Sequence, residues 1–176
     1  MKKLILVLAL TLAAILTLSS CKGEVGTPLG FQKASDTKIV DYHLFVPDDW
    51  TVDQSGSVVA AYRSPSDPTS VSVMAWGMEY ADSTVDDWWN TYRPEFESIY
   101  ADFTLESSES TLLDGTAAMK YVYTGRLGEI TYRYSQIAAV RHTAVYVITM
   151  TELADSPDAE THAAELADII SYFRWE

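Results

Sequence analysis

Residues 117–151, AAMKYVYTGRLGEITYRYSQIAAVRHTAVYVITMT, decide the fold. Three runs rich in Val, Ile, Tyr and Thr, residues 117–124, 130–140 and 144–151, are separated only by Gly125-Arg126-Leu127-Gly128 with Glu129 and by Arg141-His142-Thr143. Connections that short suit antiparallel hairpins and exclude a parallel crossover, so the three runs are expected to form a meander. Alternation places Tyr132, Tyr134 and Gln136 on one face of the second run, and Tyr121 and Tyr123 on one face of its neighbour. Aromatic pairs across strands stabilise a sheet by about 0.2–1 kcal/mol each. Left uncovered, the same tyrosines would make a ligand platform. The sequence leaves open which sheet face is covered.

Upstream, residues 105–113 lead into Asp114-Gly115, a hairpin-turn dipeptide that adds another strand. Before it the period changes. Val85, Trp89, Tyr92, Phe96, Ile99 and Phe103 recur at steps of three and four, which predicts one apolar stripe on a helix. Ser83 is the expected N-cap, Asp86 and Asp87 sit in the first turn where the helix dipole favours acids, and Pro94 should kink or split the helix. Trp88 falls at the stripe's edge, either as a recognition surface near the aspartates or as a cover for the core's margin. Earlier still, residues 30–33 and 39–46 read as one strand pair about the polar turn 36–38. Residues 58–63 and 70–76 read as another, about the proline-containing turn 64–68. Downstream, Ser156-Pro157-Asp158 opens a second helix whose expected buried stripe is Ala159, Ala163, Leu166, Ile170 and Phe173. Helices packed on an antiparallel sheet define an α+β domain over residues 30–176, large enough to bury roughly 70% of its unfolded surface.

Composition narrows the chemistry. The chain has 176 residues, 12 Lys+Arg against 25 Asp+Glu and a net charge of -13, which repels phosphate backbones and excludes a nucleic-acid partner. A single cysteine excludes an internal disulfide and any Cys-built metal centre. His43, His142 and His162 lack metal-ligand spacing and are expected at the surface or its boundary. The acidic groups Asp48/Asp49/Asp53, Asp82/Asp86/Asp87 and Asp155/Asp158/Glu160 do not follow a calcium-loop pattern, and solubility and helix-dipole roles account for them. No nucleophile elbow and no phosphate-binding glycine loop is present. No catalytic residue, cofactor or metal ion is therefore expected.

The N-terminal segment carries the most specific signal. Met1-Lys2-Lys3 precedes an apolar run over residues 4–18, about 22 Å of helix against the roughly 30 Å of a bilayer core. This describes a secretory signal peptide over residues 1–20. It ends in Leu18-Ser19-Ser20-Cys21, which resembles the lipobox of bacterial lipoproteins: an aliphatic residue, two small residues and a cysteine. The resemblance implies a diacylglyceryl thioether on Cys21 and cleavage just before it; an ordinary signal peptide that contains a cysteine is the alternative. Residues 21–29 then read as a lipidated tether, and the acidic domain stands off an anionic membrane surface.

The domain itself resembles the PsbP-like family. The resemblance is carried by Tyr42-His43-Leu44-Phe45-Val46-Pro47 with Trp50, by Ser83-Thr84-Val85-Asp86-Asp87-Trp88 and by Leu113-Asp114-Gly115-Thr116-Ala117. It continues through Tyr134-Ser135-Gln136-Ile137, Tyr146-Val147-Ile148-Thr149 and the closing Ile169-Ile170-Ser171-Tyr172-Phe173-Arg174. It implies an α-β-α sandwich with one mid-chain and one C-terminal helix, used for binding or assembly and not for catalysis. The family's metal-binding residues match no motif here and are not carried over. The combined expectation is a lipid-anchored extracytoplasmic module, held to the cell membrane (or an outer membrane) by its lipid and paired with an envelope protein. The alternative is a small-molecule or metal-binding lipoprotein, and less so an envelope enzyme. A deep pocket or converging carboxylates would favour that alternative.

Overall fold

The computed structural model describes residues 25–53 and 58–176. The signal segment and Cys21 lie outside them. Eleven strands and two helices are assigned among the described residues. Seven strands form one antiparallel sheet: β4 (Thr51–Asp53), β5 (Val59–Ser64), β6 (Asp67–Gly77), β7 (Ala101–Leu113), β8 (Thr116–Leu127), β9 (Ile130–Arg141) and β10 (Ala144–Leu153). Their spatial order is β4-β5-β6-β10-β9-β8-β7. The expected meander is its centre, with Tyr123 opposite Tyr134 and Ile137 opposite Ile148. Three tight turns close it. Asp114 and Gly115 both have positive φ, the geometry that matches strand twist in a two-residue hairpin, and Gly128 and His142 supply the left-handed residue in the next two turns.

Helix α1 (Val85–Ile99) packs on one face of the sheet and α2 (Ala159–Tyr172) on the other. This is the α+β, α-β-α sandwich read from the sequence. Three short strands, β1 (Phe31–Lys33), β2 (Tyr42–His43) and β3 (Phe45–Pro47), share the α2 face. β1 pairs with β3, and β2 pairs with a closing strand β11 (Arg174–Trp175). Residues 174–175 are therefore stapled to the early strand β2. The sequence pattern does not suggest this, because two-residue strands leave no period to read.

Several expectations shift. The N-cap of α1 is Thr84, not Ser83: its hydroxyl accepts from the Asp87 amide at 3.2 Å while Asp87 accepts from the Thr84 amide at 2.7 Å, a reciprocal capping box. Pro94 lies inside a continuous helix and does not split it. Phe103 belongs to β7 and Ile99 is exposed, since the helix ends a turn earlier than the stripe suggested. Pro68 lies within β6, at the irregularity between Tyr62 and Ser64 where β5 and β6 slip register, a place where a missing amide is tolerated. Gly125 belongs to β8 and not to a turn. A Cβ there would meet the Tyr100 Cβ at 2.5 Å, so glycine is the residue that lets Tyr100 close over the sheet.

The α1 face is sealed by aromatic rings. Trp89 stacks on Tyr121 with centroids 4.0 Å apart and planes 7° apart, and Phe96 stacks on Tyr123 at 5.9 Å. Tyr123 stacks on Tyr134 at 5.0 Å. The tyrosine face is thus covered and is no ligand platform. Trp88 is also fully buried and not marginal, because Trp76 and Tyr92 close around it. On the opposite face Phe173 is fully buried, stacked on Tyr42 at 5.6 Å and met edge-on by Trp175 at 4.7 Å.

Candidate ligand groove and histidine cluster

A single helix about 10 Å wide cannot cover a sheet of seven strands spaced at about 4.8 Å. On the α2 face β1–β3 and α2 take one side, and the side over β7–β9 remains open. The buried stripe of α2 runs through His162, Leu166, Ile169 and Phe173, rotated from the expected one. Ala159, Ala163, Ala167 and Ser171, at steps of four, turn instead toward the open side. Their short side chains leave a groove of about 740 Å³ between helix and sheet. Val122, Ile137 and Met150 rise from the strands, while Leu166 and Ile170 form the helix wall. The charged lining is Lys120, Arg133, Glu106 and Glu152. Arg133 pairs with Glu106, and Lys120 lies 3.6 Å from Glu109, so the outer lining is charge-balanced.

At one end of the groove Glu152 joins a buried cluster that the sequence did not disclose. His162 is 1% exposed. Its Nδ1 lies 2.8 Å from Glu152 Oε2 and its Nε2 lies 3.2 Å from Asp67 Oδ2. The Arg63 guanidinium donates to the same Asp67 oxygen at 2.7 Å and to Glu165 Oε1 at 3.3 Å. The other Glu165 oxygen is buried and has no hydrogen-bond partner. Burial alone would raise the Asp67 pKa. Hydrogen bonds from Thr69 and Arg63, with His162 nearby, outweigh it and hold this carboxyl well below the usual carboxylate range.

The three histidines do not converge. The boundary reading is corrected for two of them: His43 is buried, with Nε2 2.6 Å from Glu176 Oε2 and its ring over Phe45, and His162 is buried as above. His142 sits exposed in its turn. Of the acidic groups weighed for calcium, only Asp158 joins a metal-type set among the described residues, with Asp67 and His162. Asp86 and Asp87 open α1, as expected of helix-start acids. A histidine inside an apolar stripe at positions 162, 166, 169 and 173 was the one signal available. Thr69 Oγ1 is 3.4 Å from both nitrogens of His162, alongside the ring and not in line with either lone pair, and Thr69 is 1% exposed. That geometry does not activate a nucleophile.

No protein-family model and no curated protein matches the sequence. Among solved structures, the chain is similar to the solution structure of cyanobacterial PsbP (CyanoP) from Synechocystis sp. PCC 6803. The TM-score is 0.55 and the identity 18%, over 90% of this chain and 99% of that one. It is also similar to the crystal structure of LpqN, involved in cell envelope biogenesis of Mycobacterium tuberculosis. There the TM-score is 0.55 and the identity 16%, over 75% of this chain and 81% of that one. At these identities the likeness establishes the fold class: the domain is PsbP-like in architecture.

Proposed function

We propose that this chain is a lipid-anchored, extracytoplasmic, non-catalytic binding module of the cell envelope, and that its ligand site is the groove between α2 and the β7–β9 face. The groove is the observation that carries the reading. About 740 Å³ with an apolar floor and a few charged groups is the size and make-up of a small-molecule site. The ligand class that fits is a small organic molecule with an apolar body and a polar end. The anchor rests on Leu18-Ser19-Ser20-Cys21. Among the described residues no helix is long and apolar enough to cross a membrane. Two or more acyl chains at about 0.8 kcal/mol per buried methylene would hold it stably. The non-catalytic reading is supported by the sidelong, buried Thr69 beside His162.

A photo-crosslinking residue at Ala163, inside the groove, tests the reading in intact cells, with Asp168 on the solvent face of α2 as control. The expected result is a discrete adduct from position 163 and none from 168, with a small-molecule mass rather than a protein band. A protein adduct confined to position 163 would move the reading to assembly with an envelope partner. Equal labelling at both positions would remove the groove from the account.

A further inference from the structure

The histidine cluster has a chemistry of its own, independent of what the groove holds. Four carboxylates gather there. Asp67, Glu152 and Glu165 are linked by hydrogen bonds to His162 or Arg63, and Asp158 stands at the start of α2; the one permanent cation among them is Arg63. The buried Glu165 oxygen without a partner belongs to the same deficit of positive charge. His162 makes it acute. When Nδ1–H donates to Glu152, the lone pair of Nε2 points at an anionic Asp67 oxygen 3.2 Å away. Two acceptors at that distance require a cation between them, either a proton or a metal ion.

We propose that the cluster is a divalent transition-metal site of the zinc type, with His162 Nε2, Asp67 and Asp158 as ligands and Glu152 as the carboxylate that orients the imidazole. Three features of the geometry support it. One ligand atom from each of Asp67, Asp158 and His162 lies within 4.8 Å of the others. The 3.2 Å between Nε2 and Oδ2 is close to the edge of a zinc tetrahedron with bonds of about 2.0–2.1 Å, which is roughly 3.3 Å. A metal-bound histidine characteristically donates its other N–H to a carboxylate, and Glu152 at 2.8 Å occupies that place. The exposed Asp158 closes the remaining distance by rotating its side chain, and water completes the shell. One imidazole nitrogen with two carboxylates favours zinc over calcium, which takes oxygen ligands. β6 and α2 bring together residues that no short motif contains, which is why the sequence pattern does not point to this set.

The test uses the full chain in detergent micelles, stripped with EDTA and titrated with zinc chloride against a chromophoric chelator. One zinc per chain is expected, binding at micromolar concentration or tighter, with excess calcium unable to displace it. Asp158→Asn, at an exposed position, should weaken binding by about tenfold or more while the metal-free protein still folds and melts cooperatively. Glu152→Gln should weaken it as well, and His142→Ala, in the exposed turn, should have no effect. X-ray absorption at the zinc edge should show one imidazole in an oxygen shell. Absence of stoichiometric zinc at tens of micromolar would mean that a proton alone fills the gap and would overturn the site. Binding indifferent to Asp158→Asn, or a sulfur shell from Cys21, would overturn it equally. His162→Gln adds a further check if it folds, and the proposal does not depend on it.

Discussion

The two faces of the sheet solve the same problem in opposite ways. Against α1 the sheet presents Tyr121, Tyr123, Tyr134 and Val147, all buried, and the helix answers with Trp88, Trp89 and Phe96 in ring-on-ring contact. Against α2 it presents Val122, Ser135, Ile137 and Glu152, and beside its buried stripe the helix lines the groove with alanines. Large planar side chains fill the first gap completely. Short ones leave the second open over β7–β9, where charged groups can enter. Both faces carry buried core, but only the α2 face keeps an open strip beside it where binding chemistry can sit. The difference follows from side-chain size along the same strands.

That contrast can be broken by pH. Burial, first of all, raises the pKa of Tyr121, Tyr123 and Tyr134 on the α1 face, with Asp86 or neighbouring tyrosines adding to it. The folded state keeps these phenols protonated while the unfolded chain releases their protons from about pH 10. Above that pH the unfolded state binds fewer protons, so stability falls as pH rises, by about 1.4 kcal/mol per pH unit for each such tyrosine. Denaturant titrations between pH 9 and 12 should show this steep loss, and a flat profile would mean that the aromatic face is wet.

Trp89→Ala and Phe173→Ala remove a buried ring from the α1 and α2 faces respectively. Each should cost about 3–5 kcal/mol. A tolerant Trp89 would mean that α1 is not docked, and a tolerant Phe173 that α2 is not. Gly125→Ala should cost about 1–3 kcal/mol, because its methyl meets the Tyr100 Cβ and one of the two must move. Asp168→Asn, on the solvent side of α2, should change stability by less than about 0.5 kcal/mol in the same assay.

The sequence made the sealed face easier to read than the open one. Tyr121, Tyr123 and Trp89 announce themselves by period and size, the hairpin at Asp114-Gly115 by turn chemistry and the one at Arg141-His142-Thr143 by its shortness. The groove is written only as an absence, in Ala159, Ala163 and Ala167, and small residues at helical spacing read equally well as a packed stripe. The cluster at His162 joins residues 95 apart in the chain, so its partners become neighbours only after β6 has paired with β10. The stapling of β11 to β2 was hidden for the same reason: it depends on where the chain returns, not on any local pattern.

Ser135 and Ala138 provide the most direct test, since they lie three residues apart on β9, one facing the groove and the other the aromatic face. Each is replaced by leucine, and the unfolding free energies are compared by denaturant titration. Ser135→Leu should stay within about 0.5 kcal/mol of the parent, because the added methylenes enter open space, whereas Ala138→Leu should lose about 1–3 kcal/mol by overpacking. Equal losses would contradict the account, since they would mean that the α2 face is as full as the α1 face and holds no groove.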